Sequence, residues 1–189
     1  MYQTILVPLD GSEFSARALP VASELARRTG AMMHVAIVHD PSAFIPFVPG
    51  EVAVPVYDAA IVRERRDADQ ARLDETVAEL VAAGLRVTGV LLEGTVIESL
   101  TEYGQQVASE LTIMTTHGRG GFARLRLGSV TTAYLTRSTT PVLLVHGAGA
   151  DEGSDVVPSL PTGTLLCPMD GSPFAERMLP HAAGFADAC

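Results

Sequence analysis

Short apolar runs alternate along this chain with stretches whose apolar residues recur every three to four positions. Thr4 to Leu9 (TILVPL) is a β-branched run suited to a strand buried on both faces. Phe14, Ala18, Leu19, Ala22, Leu25 and Ala26 then follow at helical spacing up to Gly30. Met33 to Val38 predicts a second strand. From Asp40 to Pro55 four prolines are interleaved with Phe44, Ile45, Phe47 and Val48, which excludes a regular helix and reads as a long apolar flap. The spacing predicts a long helix over Tyr57 to Ala83 with Ile61, Leu73, Val77, Leu80 and Val81 inward, closed by Gly84. Leu85–Leu92, Leu111–Thr115 and Pro141–His146 read as further strands, and Val96–Val107 and Gly128–Ser138 as further helices. Five strands alternating with four helices predict an α/β fold, a doubly wound parallel sheet with helices on both faces. In such sheets ligands bind beyond the carboxyl ends of the strands, where strand order reverses. Asp10 and the glycine-rich stretch Met114–Thr131 follow strands one and four, the places such a site uses.

Composition narrows the chemistry. The net charge of −9 argues against a nucleic-acid partner or an anionic membrane surface. No apolar run approaches the ~18 residues of a membrane helix, and the N-terminus lacks the basic region of a signal peptide. Two cysteines, Cys167 and Cys189, imply no disulfide framework and suit a cytoplasmic protein. All 13 basic residues are arginine. Without lysine there is no Walker-type phosphate lysine and no Schiff base, so phosphate charge must be met by backbone N–H groups, hydroxyls, arginine or a metal. Gly128-Ser129 stands where a helix begins, and the free N–H groups and dipole of that position favour an anion.

A second pattern is repetition. Gly163–Pro180 matches Gln3–Pro20 at a constant offset of 160, with Pro168, Asp170, Gly171, Ser172, Phe174, Arg177, Leu179 and Pro180 identical to their counterparts. Residues 1–147 therefore read as a complete domain, 148–162 as a Gly/Pro/acidic linker and 163–189 as the first strand and helix of a second copy. The strand expected at Thr164–Met169 has no partner of its own and should pair with a sheet edge, its own or that of a partner.

The strand-turn ILVPLDGS and the segment MTTHGRGGFARLRLGSVT, followed by a helix and PVLLV, resemble the universal stress protein family. The resemblance implies a Rossmann-like, flavodoxin-like sheet in the order 3-2-1-4-5 and a homodimer, formed through the last strand or through the partial second repeat. For the nucleotide-binding branch it implies an adenine nucleotide, ATP or AMP, with Mg arriving on the phosphates. Asp10 would then approach the ribose or phosphates, and Pro8 and Val38 would line the base pocket. Gly118, Gly128, Ser129, Val130 and Thr131 would hold the phosphates, with Met114 and Thr115 at the end of strand four beside them. Gly118, nine residues and Gly128-Ser129 keep the family spacing, while Thr115 stands in the place of its first glycine. No general base or nucleophile can be argued from spacing, and His34, His39, His146 and His181 form no metal-ligand pattern. The leading expectation is a nucleotide-binding stress-response module without robust catalysis. Its rivals are a non-nucleotide interaction protein on the same fold and a weak nucleotide hydrolase.

Overall fold

In the computed structural model the described residues are 2–41, 59–116, 127–146, 159–160 and 163–189. Strand β1 (Thr4–Leu9) leads through Gly11, at φ +77°, and the capping residue Ser12 into the short α1 (Glu13–Ala16) and then α2 (Ala18–Thr29). Gly30, at φ +72°, ends α2 in the left-handed conformation that glycine adopts without strain. There follow β2 (Met32–His39), α3 (Ala59–Ala82), β3 (Val87–Glu93), α4 (Val96–Gln106), β4 (Leu111–Thr115), α5 (Ser129–Arg137) and β5 (Val142–Val145). The short α6 (Pro173–Glu176) and α7 (Met178–Ala188) close the chain. The five strands form one parallel sheet in the order β3-β2-β1-β4-β5, as expected.

Each face of the sheet carries its own core. Ile5, Val7, Met33, Val35 and Ile37 pack with α2 and with Leu73 and Leu80 of α3. Leu6, Ala36 and Met114 pack on the other face with Leu100 of α4 and Tyr134 of α5. Tyr134 is fully buried and satisfies its hydroxyl against Thr112 Oγ1 at 3.1 Å. The central strands β1, β2 and β4 are mostly apolar and buried because both faces are covered.

Two expectations are corrected. Leu73 and Leu80 of α3 are buried and Val77 packs beside them, but Ile61 and Val81 are exposed. Only the C-terminal half of α3 presents a stripe to the sheet; Val81 lies about 100° around the helix from Leu80, and Ile61 belongs to the opening turns, where charged residues predominate. Thr164–Met169 forms no strand, since no sheet edge lies beside it, and its residues are mostly exposed. Within the linker, Leu160, only 4% exposed, joins the core beside α2 and α3. The predicted flap lies outside the described residues except for Asp40 and Pro41.

Local geometry does repeat. Ser12 and Ser172 cap α1 and α6 at nearly the same angles (φ −88°, ψ 152° and φ −81°, ψ 148°), each accepting from the amide three residues on. Asp10 and Asp170 each accept the N–H of the serine two residues on, at 2.9 and 2.8 Å. Gly11 and Gly171 share φ +77° and +79°. The same sequence makes the same turn twice.

Candidate functional site

The site is built where strand order reverses, between β1 and β4. Gln3 accepts from Met32 of β2 through its carbonyl, and Thr4 accepts from Glu110 ahead of β4. Backbone groups along a strand point alternately to its two neighbours, so Thr4, Leu6 and Pro8 face β4. Proline has no N–H to offer. The β1–β4 ladder accordingly covers only Ile5 and Leu6, opposite Leu111 and Thr112, while β1 continues against β2 to Leu9. Beyond that point Ile113, Met114 and Thr115 pair with β5 alone. The ladder thus stops beside Pro8 at the switch point, the place where doubly wound sheets form a ligand crevice.

Asp10 stands at the mouth of this crevice, half-buried. Its Oδ1 accepts from the Ser12 amide at 2.9 Å and the Ser12 hydroxyl at 2.5 Å, and its own N–H donates to Ser15 Oγ at 3.2 Å. This is an Asx-type turn that fixes the carboxylate in place. Across the crevice, Thr116 accepts the Gly128 amide through its carbonyl at 2.8 Å, and the buried Thr131 hydroxyl donates to the Thr115 carbonyl at 3.1 Å. These two bonds hold the first turn of α5 against the end of β4. Gly128 caps α5 without a side-chain acceptor, and Ser129 and Val130 are exposed beside it. The N-terminus of α5 is therefore a positive pole held rigidly at the crevice.

The sequence-derived candidates divide into groups. Pro8 and Asp10 lie at the carboxyl end of β1, and Thr115 at that of β4, where Gly128 and Thr131 are bonded beside Ser129 and Val130. Val38 and Met114 lie below these ends, packed with Leu6 in the core on the α4/α5 face. Gly118 is outside the described residues. Thr131 spends its hydroxyl proton on Thr115, which leaves its backbone amide in the first turn of α5.

One arrangement carried no spacing signal. His39 ends β2, 3% exposed, with Nδ1 3.1 Å from Oδ2 of Asp69 on α3. Its buried Nε2 has no hydrogen-bond partner among the described residues. Asp69 also faces Arg72 at 3.4 Å, and Glu93, level with His39 on β3, pairs with Arg66 at 2.7 Å. The hydrogen bond from Arg66 holds the Glu93 carboxyl below its ordinary range. Among the described residues no cluster of three His, Cys, Asp or Glu side chains is arranged to hold a metal.

A doubly wound parallel sheet in the order β3-β2-β1-β4-β5 defines the flavodoxin-like class of α/β proteins. Residues 1–146 match the universal stress protein family, and the chain belongs to that family. It is 30% identical over 146 residues to a universal stress protein of Thermus aquaticus, a match spanning 77% of this chain and all of that protein. A universal stress protein of Mycobacterium bovis is 28% identical over 187 residues; that match takes in 97% of this chain and 59% of the relative. Among solved structures, a universal stress protein in complex with cAMP is 27% identical, with a TM-score of 0.54, over 77% of this chain and 97% of that one.

Proposed function

We propose that this protein is an adenine-nucleotide-binding regulatory module that acts in the cytoplasm and takes one nucleotide, ATP or AMP, at the crevice beside Pro8. The observation that carries this reading is the open β1–β4 ladder with the N-terminus of α5 fixed across it. Phosphates would lie on the first-turn amides and the Ser129 hydroxyl, and the sugar beside Asp10. With no lysine in the chain, backbone donors and the helix dipole supply the positive potential. Magnesium would enter on the phosphates. The cAMP complex of a 27% identical relative supports an adenine ligand.

Equilibrium dialysis against ATP, ADP and AMP, with and without Mg²⁺, tests this. Binding at micromolar to sub-millimolar nucleotide, weakened at least tenfold (about 1.4 kcal/mol) by Asp10→Ala, is the expected result. Absence of binding by the unaltered protein at millimolar nucleotide overturns it. Thr115 favours a second reading, an interaction protein on the same fold: a side chain occupies the place of a family glycine and is itself buried at the end of β4.

A further inference from the structure

A second concave site lies at the other end of the sheet. Where α7 meets the residues just ahead of β1, β4 and β5, it walls a cleft of about 400 Å³, a volume typical of small-molecule sites. Tyr2, Glu110 and Thr140 stand on the sheet side, and His181 and Gly184 on the α7 side. The Tyr2 hydroxyl joins the two sides by donating to the His181 carbonyl at 3.3 Å. Gly184 is an interior residue of α7, a place where glycine weakens a helix. Packing does not require it, since a Cβ built there meets nothing within 4 Å. Its counterpart in the first copy, 160 positions earlier, is Glu24. The effect of the glycine is to leave the cleft its full width.

The charge around this cleft is negative. Glu110 is exposed, and its Oε2 accepts the Gln3 amide at 2.5 Å, which fixes the carboxylate at the rim. The two helices on that face of the sheet end beside it. From α4, which ends at Gln106, the chain runs into the lining through Ser109 and Glu110; from α5, which ends at Arg137, it does so through Thr139 and Thr140. The carboxyl end of a helix is a negative pole. No basic residue stands in the last turn of α4, and Arg137 in that of α5 is engaged by Glu98. Among the described lining residues there is no arginine, and His181 is the one basic side chain. The Tyr2 hydroxyl registers the same field: burial first, then the charges of Cys189 and Glu110, push its pKa up. A single carboxylate does not make a cage for a bare divalent ion, and no metal-holding cluster occurs among the described residues. The Tyr2 ring, Pro141 and Pro180 instead give the wall apolar surface suited to methylene groups.

We propose that this cleft binds a small organic cation, an aliphatic amine whose ammonium groups pair with Glu110 and with the carboxyl ends of α4 and α5. Its methylene groups lie against Tyr2, Pro141 and Pro180. The second-copy segment then has a task of its own, because α7 supplies one wall of the cleft. The site is at the amino ends of the strands, opposite the crevice at their carboxyl ends, and it does not rest on nucleotide binding.

Calorimetric titration of the full chain with putrescine, and with butanediol as its uncharged counterpart, tests the proposal. Saturable binding of putrescine to one site at millimolar concentration or below, and no binding of the diol, is the expected result. Glu110→Gln keeps an oxygen for the Gln3 amide and should weaken putrescine at least tenfold. Gly184→Leu, whose side chain has open space to enter, should abolish binding without lowering the melting temperature, since leucine is the better helix former. Titration that never saturates overturns the proposal, as does equal binding of the diol. Binding unchanged by either substitution also overturns it, and marks the amine as adsorbed on the surface of a chain of net charge −9.

Discussion

Pro8 shows how one residue bears on a site through its backbone as well as its side chain. Its missing N–H falls on the side of β1 that faces β4, and the gap that results lies where the ligand is proposed to enter. Pro8→Val restores the donor and should let the ladder run past Leu6. Stability should stay within about 1 kcal/mol, because the added hydrogen bond is offset by the greater freedom of the unfolded chain. Nucleotide affinity should fall at least tenfold, with dialysis and urea unfolding as the two measurements. Pro8 was named in the sequence as a pocket residue, but its effect on the β1–β4 ladder was not legible there, because which neighbour a backbone group faces depends on strand pairing. The same holds for His39 and Asp69. They lie thirty positions apart, and only the packing of α3 on β2 brings them to 3.1 Å. Asp10 was read from its position after strand one; its turn with Ser12 and Ser15 belongs to an ordinary helix start, and the turn is also what fixes its carboxylate.

Between elements, the join of α4 to α5 is the most exposed to pH. Glu98 accepts from the Thr95 hydroxyl at 2.5 Å at the start of α4, and Arg137 in the last turn of α5 donates to it as well. These hydrogen bonds, that from Thr95 foremost, bring the Glu98 carboxyl from 4.5 down to about 2. A carboxyl depressed in the folded state stabilises it above the unfolded-state value, and that contribution fades as pH falls from 4.5 toward 2. Glu98→Gln should therefore flatten the decline of melting temperature across this interval, as calorimetry in a pH series would record. Element identities were readable because the strands are short, mostly apolar runs and helices such as α2 and α4 carry a 3.6-residue period. Which residues of α3 point inward was less so. Ile61 and Val81 are as apolar as Val77, but Ile61 lies before the apolar stripe begins and Val81 lies to one side of it, and sequence spacing does not reveal where a stripe begins or turns away.

At the scale of the whole molecule, the 160-residue repeat conveyed a local conformation and not a pairing. Residues 170–177 rebuild the Asp-Gly-Ser turn, because its hydrogen bonds lie within eight residues. Thr164–Met169 builds no strand, because a parallel strand exists only through neighbours distant in sequence. Leu160 was hidden for the opposite reason: a single leucine in a Gly/Pro/acidic run carries no periodicity, yet it fills a place beside α2 and α3. Leu160→Ala should lower stability by about 2 kcal/mol, the lower end for a buried leucine, as read by urea unfolding. The position of that leucine has a kinetic meaning too. It pins the chain three residues before Gly163, so the C-terminal helices meet α2 as a tethered ligand meets its receptor, at an effective concentration in the millimolar range. Dilution does not weaken such a contact. The α7 contact should thus persist at nanomolar protein, where any pairing between copies has dissolved.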